Sequence, residues 1–297
     1  MGSEMCIRDR FTSRLKTKTE TDIEVNSIYF QDQWDVTDNL IITLGGRFDE
    51  FDITLRDLVA NETRVADIEE FGPRGGIVFK PSSNSSLYAS YSESFLPRSG
   101  EQFKAMSDSA AITDPDEFEN SEIGYKYDDG STIFSVAYFE LESTRFERAN
   151  LASDQTEERD MDVDGYEIAY SGKLTDSLSL AATYSNVDGK NGAADAREIP
   201  EQTWTLWMDY QASPRLSYGL GVTHQGESLI SDGSSRKLPE YERIDFSLNY
   251  DVRDDLTLQF FIENLADEDY YPHSHGSHQV TVGEPVNAKL GLSLIHI

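Results

Sequence analysis

Between Leu216 and Val222 every second residue is apolar, with Leu216, Tyr218, Leu220 and Val222 alternating with Ser217, Gly219 and Gly221. The same period of two recurs in about thirteen segments along the chain. Examples are Leu40, Ile42 and Leu44 against Thr43, Gly45 and Arg47; Trp204, Leu206, Met208 and Tyr210 against Thr205 and Asp209; and Ile244, Phe246, Leu248 and Tyr250 against Asp245, Ser247 and Asn249. In Leu256, Leu258, Phe260 and Ile262 the pattern holds with Phe261 as the exception. A strand sends successive side chains to opposite faces, so each segment reads as a strand with one greasy face and one wet face.

The connections between segments are of two kinds. Short turns at Asp35-Val36-Thr37-Asp38-Asn39, Pro81-Ser82-Ser83-Asn84-Ser85, Asp128-Asp129-Gly130, Thr175-Asp176-Ser177, Ser213-Pro214-Arg215 and Arg253-Asp254-Asp255 use residues that set turn dihedrals or bond their own backbone. The others, near 57–64, 96–117, 148–157, 188–200, 226–239 and 266–284, are longer, polar and mostly acidic. Alternation of the two kinds predicts an antiparallel sheet with all its tight turns on one rim. That asymmetry is the one found in outer-membrane barrels.

A soluble sandwich also alternates, with its apolar face turned inward, so periodicity alone leaves two architectures open. Length and aromatics favour the barrel. Segments such as Leu40 to Asp57 and Ser131 to Arg148 far exceed the ~5 to 6 residues of an ordinary strand, as tilted strands crossing a bilayer do. Tyr29, Trp34, Tyr91, Tyr127, Tyr170, Tyr184, Trp204, Tyr210 and Tyr250 fall near segment ends, where interfacial girdles form. No run of ~18 apolar residues exists, which excludes a transmembrane helix, while a negative mean hydropathy suits a barrel with a polar interior. The net charge of -30 argues against nucleic acid, which needs a basic stripe.

Residues 1–10 and 295–297 stand outside the pattern and read as non-native leader and tail, leaving 11–294 as barrel. The single cysteine, Cys6, falls in that leader and permits no internal disulfide.

Several motifs carry a family resemblance. Ile262-Glu263-Asn264-Leu265-Ala266-Asp267-Glu268-Asp269-Tyr270-Tyr271 resembles the N-L-F-D-x-x-Y-Y signature before the last strand of TonB-dependent outer-membrane receptors. Gly283-Glu284-Pro285 resembles their G-x-P-R element, and a closing strand Asn287 to Leu294 follows. Ala266 replaces the usual Phe and Val286 stands where Arg is common. Upstream, the run from Leu87 to Phe103 resembles the S-Y-S-x-S-F-L-P-x-S-G-x-Q-F segment of catecholate-type siderophore receptors, and Phe118 to Lys126 resembles their N-x-E-x-G-x-K strand.

The resemblance implies a barrel of about twenty-two strands plugged by a globular domain. This chain then supplies about the last thirteen strands, with the plug and its TonB-binding box absent, so the sheet is an incomplete barrel. The implied function is capture of a ferric siderophore, catecholate first, at the bacterial outer membrane and its energy-coupled import. The implied partners are the siderophore, the TonB-ExbB-ExbD complex acting through the plug, and outer-membrane lipid. The siderophore wraps the iron, so no cofactor is expected. Recognition by such receptors implies aromatics that stack on catechol rings and arginines that meet the anionic complex. The candidates are Phe95, Arg98, Gln102 and Phe103 in the long loop after Tyr91, and Arg145, Phe146 and Arg148 in the loop near 145 to 148.

Alternative readings remain. His273, His275 and His278 in the last long loop are a candidate metal set for copper or zinc uptake, although no carboxylate or cysteine sits at a familiar ligand spacing. Haem, cobalamin or a sugar would use the same architecture, and a passive porin or a soluble acidic adhesin would share the alternation. No catalytic set is expected, because His224, His273, His275, His278 and His296 lie in no nucleophile motif.

Overall fold

The structure is a computed structural model that describes residues 18–97, 115–148 and 156–294, with backbone alone for 145–148 and 156–159. The proposed leader at 1–10 and tail at 295–297 therefore lie outside the described residues. In chain order the strands are β1 (Thr19–Thr37), β2 (Leu40–Asp57), β3 (Glu62–Ser82), β4 (Ser85–Leu96), β5 (Asp116–Asp128), β6 (Thr132–Arg148) and β7 (Thr156–Thr175). They continue as β8 (Leu178–Asn191), β9 (Ala194–Asp195), β10 (Gln202–Ser213), β11 (Leu216–Gln225), β12 (Ser228–Leu229) and β13 (Lys237–Leu238). The last are β14 (Tyr241–Arg253), β15 (Leu256–Glu263), β16 (His273–Ser274), β17 (Val280–Thr281) and β18 (Asn287–Leu294).

One 14-stranded sheet holds all the long strands in the order β1-β2-β3-β4-β5-β6-β7-β8-β10-β11-β14-β15-β18, with β9 appended to β8. Its path runs through thirteen long strands, as the periodicity predicts, and the closing strand has the expected bounds. β12 with β13 and β16 with β17 form two small ribbons within the long loops. The ordered path ends at β1 and β18, which are not paired with each other.

Register turns the alternation into a continuous surface. Leu40, Phe79, Leu87, Tyr125, Val136, Ile168, Tyr184 and Trp204 face one another strand by strand from β2 to β10. Tyr218, Leu248, Phe260 and Leu290 continue the same face to β18. The first row starts beside the tight turn at Leu40 and ends near the far rim at Trp204, the stagger produced by tilted strands. No second sheet covers this face among the described residues: Ile28 is 72% exposed, Leu290 70% and Leu292 71%. A sandwich would bury these side chains, so the apolar surface is the lipid-facing side of a barrel wall.

The opposite face is polar, with Thr183 bonded to Thr205 (Oγ1 to Oγ1, 2.6 Å) and Asn249 facing Gln259 across the ladder. One apolar cluster departs from the expectation of a wholly wet second face. Ile53, Leu55, Ala66 and Ile68, with Phe51 against them, are buried on this inner face in the long hairpin that β2 and β3 raise beyond the apolar band.

The tight turns are fixed by their own side chains. Asp129 accepts hydrogen bonds from the backbone N–H of Ser131 (2.9 Å) and Thr132 (2.8 Å) and from the Ser131 hydroxyl (2.8 Å). These donors hold its carboxyl down at about 2. The folded value lies below the ordinary carboxylate value of about 3.9, so this contribution is complete above that pH and is lost as pH falls through about 2. Melting curves of wild type and Asp129→Ala should differ above pH 4 and converge near pH 2. A constant difference across that range would show the turn is indifferent to the ionised carboxylate.

The family-like signature before the last strand is a clasp. Asn264 is fully buried at φ 54, a backbone conformation asparagine tolerates better than most residues. Its side-chain NH2 donates to the carbonyls of Glu268 (2.9 Å) and Glu284 (3.1 Å), and its Oδ1 accepts from the Glu268 N–H (2.8 Å). Its own N–H donates to Asp245 on β14 (2.9 Å), which also meets Arg243 (3.0 Å). Asp267 Oδ1 accepts from the Val286 N–H (3.0 Å), and a Cβ at Gly283 would run into the Tyr270 ring. The last long loop is thus tied back to the sheet at both its ends.

Candidate functional site

The β3–β4 ladder stops at the pair Arg74–Ser92, and above it β3 continues with β2 while β4 continues with β5. The two strands stay close only because residue 72 is glycine: a Cβ there would lie 2.8 Å from the Glu93 carbonyl oxygen. Where the ladder opens, a cleft of about 430 Å³ forms on the inner face, bordered by Arg47, Asp49, Phe51, Gly72, Arg74, Ser92, Glu93, Ser94 and Phe95. Its size falls within the range of small-molecule sites.

Two arginines stand in this cleft in different electrical states. Arg47 is compensated: its Nε lies 2.7 Å from Asp49 Oδ2, its Nη2 donates to Ser27 Oγ (3.0 Å), and the Ser27 hydroxyl donates to the nearly buried Asp49. Arg74 is exposed and makes no hydrogen bond or ion pair with any other described residue. Its fork is available for an anion, and a guanidinium matches planar oxyanions in a way an ammonium does not. Phe95 crosses the gap between β3 and β4 to meet Phe51 edge to face, with ring centroids 6.0 Å apart at 89°. One side of the cleft is thus aromatic and another carries an uncompensated positive charge.

Part of the acidic charge lies elsewhere. Glu119, Glu142 and Asp162 stand opposite one another across β5, β6 and β7, and Glu140, Asp164 and Asp188 do so across β6, β7 and β8. By parity these carboxylates share the outward face, beyond Tyr138 and Tyr166 on the long-loop side. Like charges placed directly opposite repel, so they need water and counterions around them. The net charge of -30 is therefore compatible with a cationic group inside.

Of the residues expected from sequence to bind ligand, Phe95 lies in this cleft, at the end of β4 and not in a loop. Arg98, Gln102 and Phe103 lie outside the described residues. Arg145, Phe146 and Arg148 were expected in a loop, but the backbone places them inside β6, paired with Arg159, Glu158 and Thr156. The ladder simply continues past the apolar band through polar residues, which in the sequence read as a connection. Among the histidines, His275 and His278 meet, whereas His273 sits in β16. Arg47, Phe51 and Arg74 escaped the sequence reading because they lie within strands. Their signal was available in parity, since each occupies a position facing away from the apolar set.

A single-layered antiparallel sheet, apolar without and polar within, with tight turns at one rim and long loops at the other, defines an outer-membrane β-barrel wall. The chain belongs to the TonB dependent receptor-like, beta-barrel family, whose family model matches residues 8–265. It is 27% identical over 321 residues to the probable TonB-dependent siderophore receptor PiuA of Acinetobacter baumannii, covering 95% of this chain and 42% of that protein. The crystal structure of that receptor superposes with a TM-score of 0.83 at 26% identity, covering 93% of this chain and 44% of the other. The metal-pseudopaline receptor CntO of Pseudomonas aeruginosa is 25% identical, over 93% of this chain and 42% of its own length. The ferripyoverdine receptor of the same species, solved with ferripyoverdine bound, gives a TM-score of 0.77 at 26% identity, over 93% of this chain and 39% of that one. The chain thus spans less than half the length of the relatives it matches.

Proposed function

We propose that this chain is the C-terminal barrel portion of an outer-membrane receptor that captures a ferric siderophore and imports it with energy from TonB. The observation that carries the reading is Arg74, uncompensated beside the Phe51–Phe95 pair in the inner cleft. An anionic iron complex with planar aromatic arms suits this pairing of charge and rings, which favours a catecholate. The siderophore supplies every ligand to the iron, so the wall needs only to recognise the outside of the complex. The TonB-ExbB-ExbD complex would act through an N-terminal plug, the part of the receptor outside this chain.

Titration of the complete receptor with a ferric catecholate tests this. Saturable binding is expected, weakened roughly tenfold or more by Arg74→Ala, the loss typical of removing one charged hydrogen-bonding partner worth ~1.5 to 3 kcal/mol. Arg74→Lys should recover only part of it. Unchanged affinity in Arg74→Ala would place recognition elsewhere, and absence of binding would remove the catecholate assignment.

A further inference from the structure

The hairpin from β16 to β17 carries two histidines whose arrangement the siderophore reading does not use. His275 Nδ1 and His278 Nε2 are 3.3 Å apart, with ring centroids 5.3 Å apart and ring planes at 85°. The contact is a long hydrogen bond between one ring N–H and the other ring's nitrogen, its direction set by the tautomers. Two nitrogens bound to zinc at about 2.0 to 2.1 Å and a tetrahedral angle stand roughly 3.3 to 3.4 Å apart, and their ring centroids about 5.2 Å apart. Rings pointing straight at each other at the observed nitrogen separation would have centroids about 5.6 Å apart. Both observed distances are also those at which two imidazoles can share one ion.

The hairpin is anchored so that this geometry is held. Ser274 is buried; its N–H donates to Glu198 Oε1 (2.5 Å) and its hydroxyl to the Ile230 carbonyl (3.0 Å), which ties β16 to two neighbouring loops. The His275 N–H donates to the Gln279 carbonyl (2.9 Å), and Gly276 at φ +89 turns the chain so that His278 comes back over His275. Both rings are exposed to solvent.

We propose that His275 and His278 form a two-nitrogen half-site for a divalent transition-metal ion, Zn²⁺ as the reference ion, on the outer loop surface. Water or the donor atoms of an incoming ligand complete the coordination, because no third His, Cys, Asp or Glu among the described residues joins the pair. His273 takes no part. The site stands apart from the inner cleft, and its loss leaves ferric-catecholate affinity unchanged.

The test is Zn²⁺ binding to the full chain in detergent, with millimolar Mg²⁺ present to occupy the carboxylates. One saturable Zn²⁺ site is expected, weakened at least tenfold by His275→Ala or His278→Ala and less than twofold by His273→Ala. In wild-type protein, Zn²⁺ should also protect His275 and His278, and not His273, from histidine-specific acylation read by mass spectrometry. This second measurement holds even if a variant misfolds. Absence of a saturable site, equal sensitivity to His273→Ala, or no protection of the pair would overturn the proposal.

Discussion

Leu248→Arg is expected to cripple insertion of the complete receptor into lipid, while Asn249→Arg, one residue away, is expected to be tolerated. Leu248 sits between Tyr218 on β11 and Phe260 on β15, in the interior of the apolar face. Asn249 sits between Ser217 and Gln259 on the polar face. Arginine on the lipid face near the bilayer midplane costs ~2 to 4 kcal/mol, whereas most substitutions on a solvated surface stay within about 0.5 kcal/mol. The difference should show as loss of the folded, heat-resistant band after refolding of the complete receptor into phospholipid vesicles for Leu248→Arg alone. Equal behaviour of the two variants would mean that the apolar face does not meet lipid. Because the substitutions are adjacent in sequence, general effects of an added charge cancel between them.

Asn264→Ala should be among the most damaging changes outside the bilayer-facing surface. It deletes three side-chain hydrogen bonds, strands the carbonyls of Glu268 and Glu284 and the Glu268 N–H, and forces alanine into φ 54. The freed groups belong to the exposed residues Glu268 and Glu284 and regain water in part, while the left-handed backbone costs ~1 to 2 kcal/mol for most residues, so a loss of about 3 kcal/mol is expected. The expected result is a lower melting temperature together with rapid proteolysis between residues 265 and 286. Asn264→Gly relieves the backbone and not the bonds, so it should fall between alanine and wild type. Wild-type proteolysis in Asn264→Ala would show that the loop is held by other contacts.

The wall was legible in the sequence because each of its determinants is local. Leu216 to Val222 declares its own strand and its own lipid face, Asp129 its own turn, and Asn287 to Leu294 its own place as closing strand. The clasp was visible as a motif, but its purpose was not, since Asn264 acts on Glu284 twenty residues downstream. Of the cleft, only Phe95 was singled out in the sequence, and the cleft itself was not visible there. It exists because one ladder ends at Arg74–Ser92, and because register brings Arg74 opposite Gly45, two residues from Arg47. Polar composition also misled: Phe95 and Arg145 to Arg148 looked like loop because strands that rise past the apolar band lose the greasy half of their alternation. The histidine pair depended on a turn at Gly276 that singles out His275 and His278 from His273.

On the proposed reading, the inner face of this wall receives the ligand at the opening between β3 and β4. Cysteine accessibility addresses it directly, with Cys6 replaced by serine and single cysteines placed at Ser92 in the cleft and at Ala89 on the outward face, between Ile77 and Ile123. In the complete receptor in membranes, a charged thiol reagent should label Ser92→Cys quickly and Ala89→Cys slowly, and saturating ferric catecholate should protect only Ser92→Cys. Equal labelling of the two sites would contradict the assignment of faces, and fast labelling of Ser92→Cys that the ferric complex leaves untouched would contradict the cleft as its binding site.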